Sequence, residues 1–458
     1  VVLPSSPYGG NIGSEIDKRS NALHAALHPD SAMVEPAGER AMAEKRDVVI
    51  VGAGPVGFLA ALGLARQGID VTLIDQEPGI VSSPRAAVYH PTTLGILDRL
   101  GVADDCIDIG LYCRGLAMRY PEVGEVIFFD YEKAALPGQK YNFNLHLGQH
   151  ELAAVVARHL AGFAHARVLW RHRLDSLTQK GDHVLLGIET PEGHREISAR
   201  WVIGADGARS TTRHLLGMDF EGFTWPERFV ATNVEVDFRA IGFADTNMVV
   251  DPVNWAVIAR LNRGNLWRLT YGENGRLDET TMWERIPGHY RAFIPPELPY
   301  KIRQAAPYRV HERCAPSFRA GRVLLAGDAA HACNPCGGLG LTTGIMDANA
   351  LYQVLGAVVH GDADEDVLDY YATERRRIFL EITSPSAQHF KRLLSQPDPA
   401  LRAQQREATR KSMQDPSTAQ MSAVISRRII GDPMPVGAAA IGRHASPLRH
   451  DAARRRAV

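Results

Sequence analysis

Cysteine is scarce in this 458-residue chain: Cys106, Cys113, Cys314, Cys333 and Cys336 are the only five. So few, and an odd number, argue against a disulfide-framed secreted protein and for a reducing compartment. Neither sign of charge is in excess, with 51 Lys and Arg against 52 Asp and Glu and a formal net charge of -1. That leaves no large field to gather phosphate backbones, so nucleic acid is not an expected partner. No apolar run approaches the roughly 20 residues that cross a bilayer. Val1–Gly10 also lack the basic-then-apolar pattern of a secretory signal. The expectation is a cytoplasmic enzyme without a transmembrane segment or a metal site, working as a monomer or homodimer.

What the chain does have is ordinary globular composition, 45% hydrophobic and 22% charged, at a length that favours two domains. Residues 1–45 are rich in Ser, Pro, Gly, Asn and Ala and read as a mobile extension, with a short helix near Asp17–Leu27. Val48-Val49-Ile50-Val51 then reads as a strand buried on both faces. A glycine turn follows, then Phe58, Leu62 and Ala65 at helical spacing, then the strand Val71–Ile74, which together make a βαβ unit. From Val230 to Phe238 the period changes to two. Trp255–Leu261 and Leu266–Tyr271 flank a turn and read as a hairpin, so an antiparallel module interrupts the first. Val323–Ala326 resumes the buried-strand character, and Gly340–Val359 carries helical spacing. From about Pro397 the tail is polar, and residues 396–458 are expected to be helical or flexible.

Three stretches carry chemistry. In Gly52-Ala53-Gly54-Pro55-Val56-Gly57, the first glycine permits the turn, the second admits a pyrophosphate and the third allows close helix–strand packing. A phosphate there would meet free N–H groups and the positive end of the helix dipole. Asp75 ends the next strand, with Gln76 beside it, where a carboxylate can hold ribose hydroxyls. That much does not separate NAD from FAD. Val323–His331 ends a buried strand in Gly327-Asp328, which can set a carboxylate on the ribityl hydroxyls that only a flavin has. The cluster Gly337-Gly338-Leu339-Gly340 then starts the long helix, whose N–H groups at Leu341 and Thr342 would face a reduced flavin's negative charge. The third stretch, Trp201–Ser210, holds the Asp206-Gly207 turn.

In this order, GAGPVG, GADGARS and LLAGDAAH with PCGGLGL resemble the FAD-dependent aromatic hydroxylases of the para-hydroxybenzoate hydroxylase type, over roughly Asp47–Ser395. The resemblance implies an α/β fold: a Rossmann-like, glutathione-reductase-like FAD-binding domain interleaved with a mainly antiparallel substrate domain. The FAD domain would be residues 46–220 and 310–395, and the substrate domain 221–309. It further implies that Arg85 lies near the flavin and its pyrophosphate, that Gln149 contacts the flavin and that Asp206 serves both FAD and a passing nicotinamide. Asp328 would hold the ribityl chain, while Pro335, Gly338, Gly340, Leu341 and Thr342 would line the ring. Thr342-Thr343 stands where many relatives carry Asn.

The implied reaction uses NADH or NADPH and O2 to hydroxylate a phenolic or polyketide-like aromatic substrate through a flavin C4a-hydroperoxide. Met248, Trp255, Trp267, Arg268 and Tyr271 are the candidates for the substrate pocket, and no residue is assigned as the catalytic base. Alternatives are an epoxidase or Baeyer–Villiger-type monooxygenase on a non-aromatic natural product and, more distantly, a non-catalytic flavin-binding protein. Cys333-Asn334-Pro335-Cys336 has the C-x-x-C spacing of a redox pair, and a structural role is preferred for it.

Overall fold

The computed structural model describes residues 44–82, 87–133, 138–414, 428–432 and 434–436. The expected helix near Asp17–Leu27 lies outside these, as does Arg85. Strand β1 (Glu44–Val51) leads through the glycine turn into helix α1 (Pro55–Ala65) and back as β2 (Val71–Asp75). β1 pairs in parallel with β2, Val48 opposite Val71 and Val51 opposite Ile74. On its other side it pairs in parallel with β3 (Gly193–Gly204), Val48 opposite Trp201. Because both faces of the sheet are covered, Val48 and Ile50 enter one apolar core and Val49 and Val51 another. This is why the run is apolar without alternation.

The chain next builds a second sheet from β4 (Glu221–Glu235), β5 (Leu266–Asn274) and β6 (Lys301–Cys314), with β4 antiparallel to both neighbours. Ala256–Arg260 and Thr246–Val249 continue it beyond β5. Gly115–Tyr120 and Glu125–Asp130, which precede β3 in the chain, complete that edge. The second sheet therefore draws strands from well before residue 221. The chain returns to the first sheet through β7 (Val323–Leu325), parallel to β3, and enters the long helix α2 (Leu339–His360). Helix α3 (Ser384–Leu394) follows later.

Two contacts fix this arrangement. α1 lies so close to α2 that a Cβ at Gly63 would fall 2.3 Å from the Tyr352 ring, and buried Gln67 donates to the carbonyls of Gly63 and Tyr352. Directly after the Gly327-Asp328 turn, His331 pairs with Cys314 at the end of β6, stitching one sheet to the other. In the tail, Pro399–Gln414 is a helix whose Arg402 and Arg410 pair with Glu122 and Glu125. Among the described residues no helix is long and apolar enough to cross a membrane.

Candidate functional site

The glycine turn is built by exclusion. Gly52 sits at φ +105°, and a Cβ there would lie 2.5 Å from the Ala205 carbonyl oxygen. A Cβ at Gly57 would lie 2.0 Å from the Gly52 carbonyl oxygen, so both positions admit only hydrogen. At Gly54 the same test meets nothing within 4 Å: the open side of the turn faces free space. Asp75 at the end of β2 reaches back, Oδ2 accepting the Ala53 N–H (2.7 Å) and Oδ1 the Glu77 N–H (2.9 Å).

Around this turn lies a cavity of about 300 Å³. Gly52, Ala53, Gly54 and Pro55 form one wall, and Asp75, Gln76, Gln149 and Asp206 close it, so eight of the expected cofactor residues meet there. Asp206 also has local work. Its carboxylate accepts Ser210 Oγ (2.5 Å), the Thr212 N–H (2.9 Å) and Thr212 Oγ1 (3.0 Å) at the start of a short helix. Burial raises its pKa above the usual carboxylate value despite these bonds.

The second turn approaches the first through one side chain. A Cβ at Gly327 (φ +60°) would fall 2.9 Å from Val56 Cγ2, and a Cβ at Gly344 of α2 would fall at the same distance from the same atom. Val56, Gly327 and the first turns of α2 thus converge. Asp328 is exposed beside them. Beneath the turn, Asp347 Oδ2 accepts the Gly327 N–H (3.0 Å) and faces His331 Nε2 (2.6 Å), while Oδ1 accepts Arg375 Nε (2.7 Å). Burial opposes its ionisation, but His331 and Arg375 hold it below the usual carboxylate value. Sequence reading missed Asp347 and Arg375. The available signal was an acid at a core position of an apolar helix.

The loop into α2 takes positive φ at Gly337 (+88°) and Gly338 (+68°), and Gly338 is the N-cap. His90 Nε2 lies 3.0 Å from the Gly337 carbonyl oxygen, and burial lowers the pKa of His90. Pro335 is exposed on this loop, and Gly340 and Leu341 in the first turn of α2 are half-buried. The Thr342 hydroxyl turns back to the Gly338 carbonyl (3.0 Å). Cys333 and Cys336 are free thiols. Burial pushes both up, Cys336 to about 12. This is the opposite of the low-pKa thiolate that dithiol redox chemistry requires.

The five substrate candidates do not gather in one place. Met248 and Trp255 pack in one core with Phe229 and Cys336. Trp267 and Tyr271 point to the opposite face of β5, into a core with Met282, Ile286 and Tyr290. Arg268 lies between them in sequence and so projects the other way. Its Nε and Nη2 donate to Asn233 Oδ1 (3.1 and 3.0 Å). Strand alternation therefore separates Trp267 and Tyr271 from any pocket on the Arg268 side. Tyr308, not anticipated from sequence, sits opposite Phe229 on that side.

A glycine-rich strand-to-helix turn, a strand-end Gly-Asp and a helix start meeting at one point match the plan of a dinucleotide-binding enzyme of the flavoprotein kind. A family model described as FAD binding domain matches residues 45–385. Para-nitrophenol 4-monooxygenase of Pseudomonas sp. (strain WBC-3) is 41% identical over 359 residues, 78% of this chain and 89% of its own. 6-Hydroxy-3-succinoylpyridine 3-monooxygenase HspB of Pseudomonas putida (strain DSM 28022 / S16) is 41% identical over 350 residues, 76% and 88% of the two chains. The crystal structure of p-nitrophenol 4-monooxygenase PnpA from Pseudomonas putida DLL-E4 superposes with a TM-score of 0.83 at 39% identity, covering 86% of this chain and all of the other. The chain belongs to the FAD-dependent aromatic hydroxylase family, with the α/β fold that the motifs implied.

Proposed function

We propose that this chain holds FAD across its two glycine turns and uses NADH or NADPH with dioxygen to hydroxylate the ring of a phenolic substrate. The convergence of Val56, Gly327 and the start of α2 carries the reading, because it brings three distant segments within reach of one extended ligand.

The residues fit FAD. Gly54 presents no Cβ to a pyrophosphate, and the cavity beside it has room for the adenosine end. Asp75, aimed by two backbone N–H groups, keeps lone pairs for ribose hydroxyls. Gln76, Gln149 and Asp206 border the same space. Arg85, outside the described residues, is given to the flavin and its pyrophosphate by the family resemblance alone. Asp328, exposed at the Gly327 turn, takes the ribityl chain. Pro335, Gly338, Gly340 and Leu341 lie at the ring, where N–H groups of the first turn of α2 have no partner within the helix. Thr342 supports that turn through its bond to Gly338. Bound there, FAD supplies electron acceptance from the nicotinamide and activation of dioxygen for transfer of one oxygen atom.

The substrate side is the face of the second sheet that carries Phe229, Asn233, Arg268 and Tyr308. Among the described residues Arg268 has no carboxylate within ion-pair distance, and burial lowers its pKa to about 10, so it remains cationic at neutral pH. Arg268 and Tyr308 lie deep in the fold yet keep accessible surface, which suits a wall of an internal space. A guanidinium there stabilises a phenolate, the more nucleophilic form of the ring. Burial raises the Tyr308 hydroxyl pKa, so it stays protonated and can donate to the same oxygen.

The test is NAD(P)H oxidation by the yellow protein with a panel of phenols under 18O2. Stimulated oxidation with one labelled oxygen in the product is expected. Product labelled only from water would remove the monooxygenase reading.

A further inference from the structure

One buried carboxylate ties together three elements that no motif connects. Glu312 on β6 is 4% exposed, and no cation among the described residues lies within ion-pair distance of it. The other buried carboxylates, Glu273, Asp347 and Glu374, each pair with an arginine. Glu312 is held instead by neutral donors. Oε1 accepts Trp225 Nε1 (3.1 Å), the Asn334 N–H (3.0 Å) and Asn334 Nδ2 (2.5 Å), and Oε2 accepts Ser384 Oγ (2.7 Å). Trp225 belongs to β4 and Ser384 opens α3. Asn334 begins the loop that leads into α2.

The grip passes along that loop. Asn334 Oδ1 accepts the Cys336 N–H (3.0 Å), the Gly338 N–H closes on the Pro335 carbonyl (3.0 Å), and Gly338 caps α2. An acid buried without a counter-ion is a poor source of stability, and apolar packing of similar volume serves as well. What a carboxylate adds is direction, since only fixed acceptors hold both nitrogens of one asparagine.

We infer that Glu312 is a positioning residue: acting through Asn334, it sets the Asn334–Gly338 loop and ties the seat of the flavin ring to the substrate-side sheet. This rests on the flavin assignment of the same loop. Neither Glu312 nor Asn334 is assigned a contact with the cofactor. The loop between them and α2 is.

The variants are E312L, which keeps volume and removes both acceptors, E312Q, which keeps one, and N334A, which cuts the path beyond the acid. In flavin-free protein, exchange of the Asn334 and Cys336 amides should quicken about tenfold in E312L, and the Cys336 amide likewise in N334A. In loaded protein, E312L and N334A should shift the flavin absorbance band and lower kcat about tenfold, with KM for the phenol within about twofold. E312Q should recover most of both. Wild-type exchange, spectrum and kcat in folded E312L would overturn the inference, and if E312L does not fold, N334A decides it on the same readouts. Wild-type protein that refuses FAD would sink the flavin assignment alone, because the exchange comparison still reports whether Glu312 sets the loop.

Discussion

Val56 and Gly327 are 271 positions apart in sequence and touch: a Cβ added at Gly327 would lie 2.9 Å from Val56 Cγ2. Gly327 also sits at φ +60°, where an L side chain costs about 1–2 kcal/mol. G327A should therefore lose stability through both strain and contact, and lose FAD affinity at least about tenfold because Asp328 moves with the turn. V56A alone should be mild. In the double variant the contact part should be recovered and the backbone part should not, so the cycle should show a coupling of about 1 kcal/mol. Denaturant midpoints and flavin titration measure both. Strict additivity would mean the two turns do not bear on each other.

His146 should make the fold sensitive to mild acid. The side chain is fully buried, with Nδ1 2.6 Å from the Arg260 carbonyl oxygen and Nε2 3.0 Å from Thr246 Oγ1. A neutral ring that donates from Nδ1 and accepts at Nε2 satisfies both. Burial lowers its pKa to about 4. Between about 6.5 and 4 the unfolded chain therefore binds a proton that the folded chain refuses, so stability falls as the pH falls through that window. The loss is on the order of 3 kcal/mol and complete below the folded pKa. H146N removes the titrating group, so the stability difference between wild type and variant should shrink by about that amount from pH 7 to pH 4. A constant difference in urea midpoints across this range would contradict the assignment.

What was legible in the sequence was local. The apolar run of β1, the glycine turn, Asp75 and the Gly327-Asp328 strand end each announce themselves within a few residues. Strand alternation in Val230–Val236 was readable too, and Val230, Val234 and Val236 share one core. The same alternation separates Trp267 from Arg268, so a pocket list holding both joined the two faces of one strand. Asp347, Arg375, Glu312 and Asn334 were not legible, because their partners lie up to 87 positions away and no spacing marks them. Nor does any local signal assign Gly115–Tyr120 to a sheet built mostly of later strands.

The Cys333 and Cys336 pair should be chemically quiet. With a thiol pKa of about 12 at Cys336, only about one molecule in 10,000 carries the thiolate at pH 8. Iodoacetamide should label neither cysteine appreciably in native protein and both after denaturation, as mass spectrometry would read. The C333S/C336S variant should retain NAD(P)H oxidation. Rapid native labelling of Cys336, or loss of turnover in the double variant with FAD still bound, would restore the redox reading.

Arg268 and Trp267 provide the sharpest contrast, since they adjoin in one strand and face opposite cores. Trp267 is fully buried against Phe238 (ring centroids 5.3 Å apart), so W267A should cost about 3–5 kcal/mol of stability. Its KM for phenol should stay near wild type at a temperature where the variant is folded. R268Q keeps a polar side chain and removes the charge. It should leave stability within about 1 kcal/mol and FAD affinity unchanged, while raising KM for an ionised phenol at least about tenfold. The penalty should shrink for a ring lacking an ionisable hydroxyl, because there is then no negative charge for the guanidinium to meet. Equal penalties on ionisable and non-ionisable rings would place Arg268 in the scaffold and move the phenolate elsewhere.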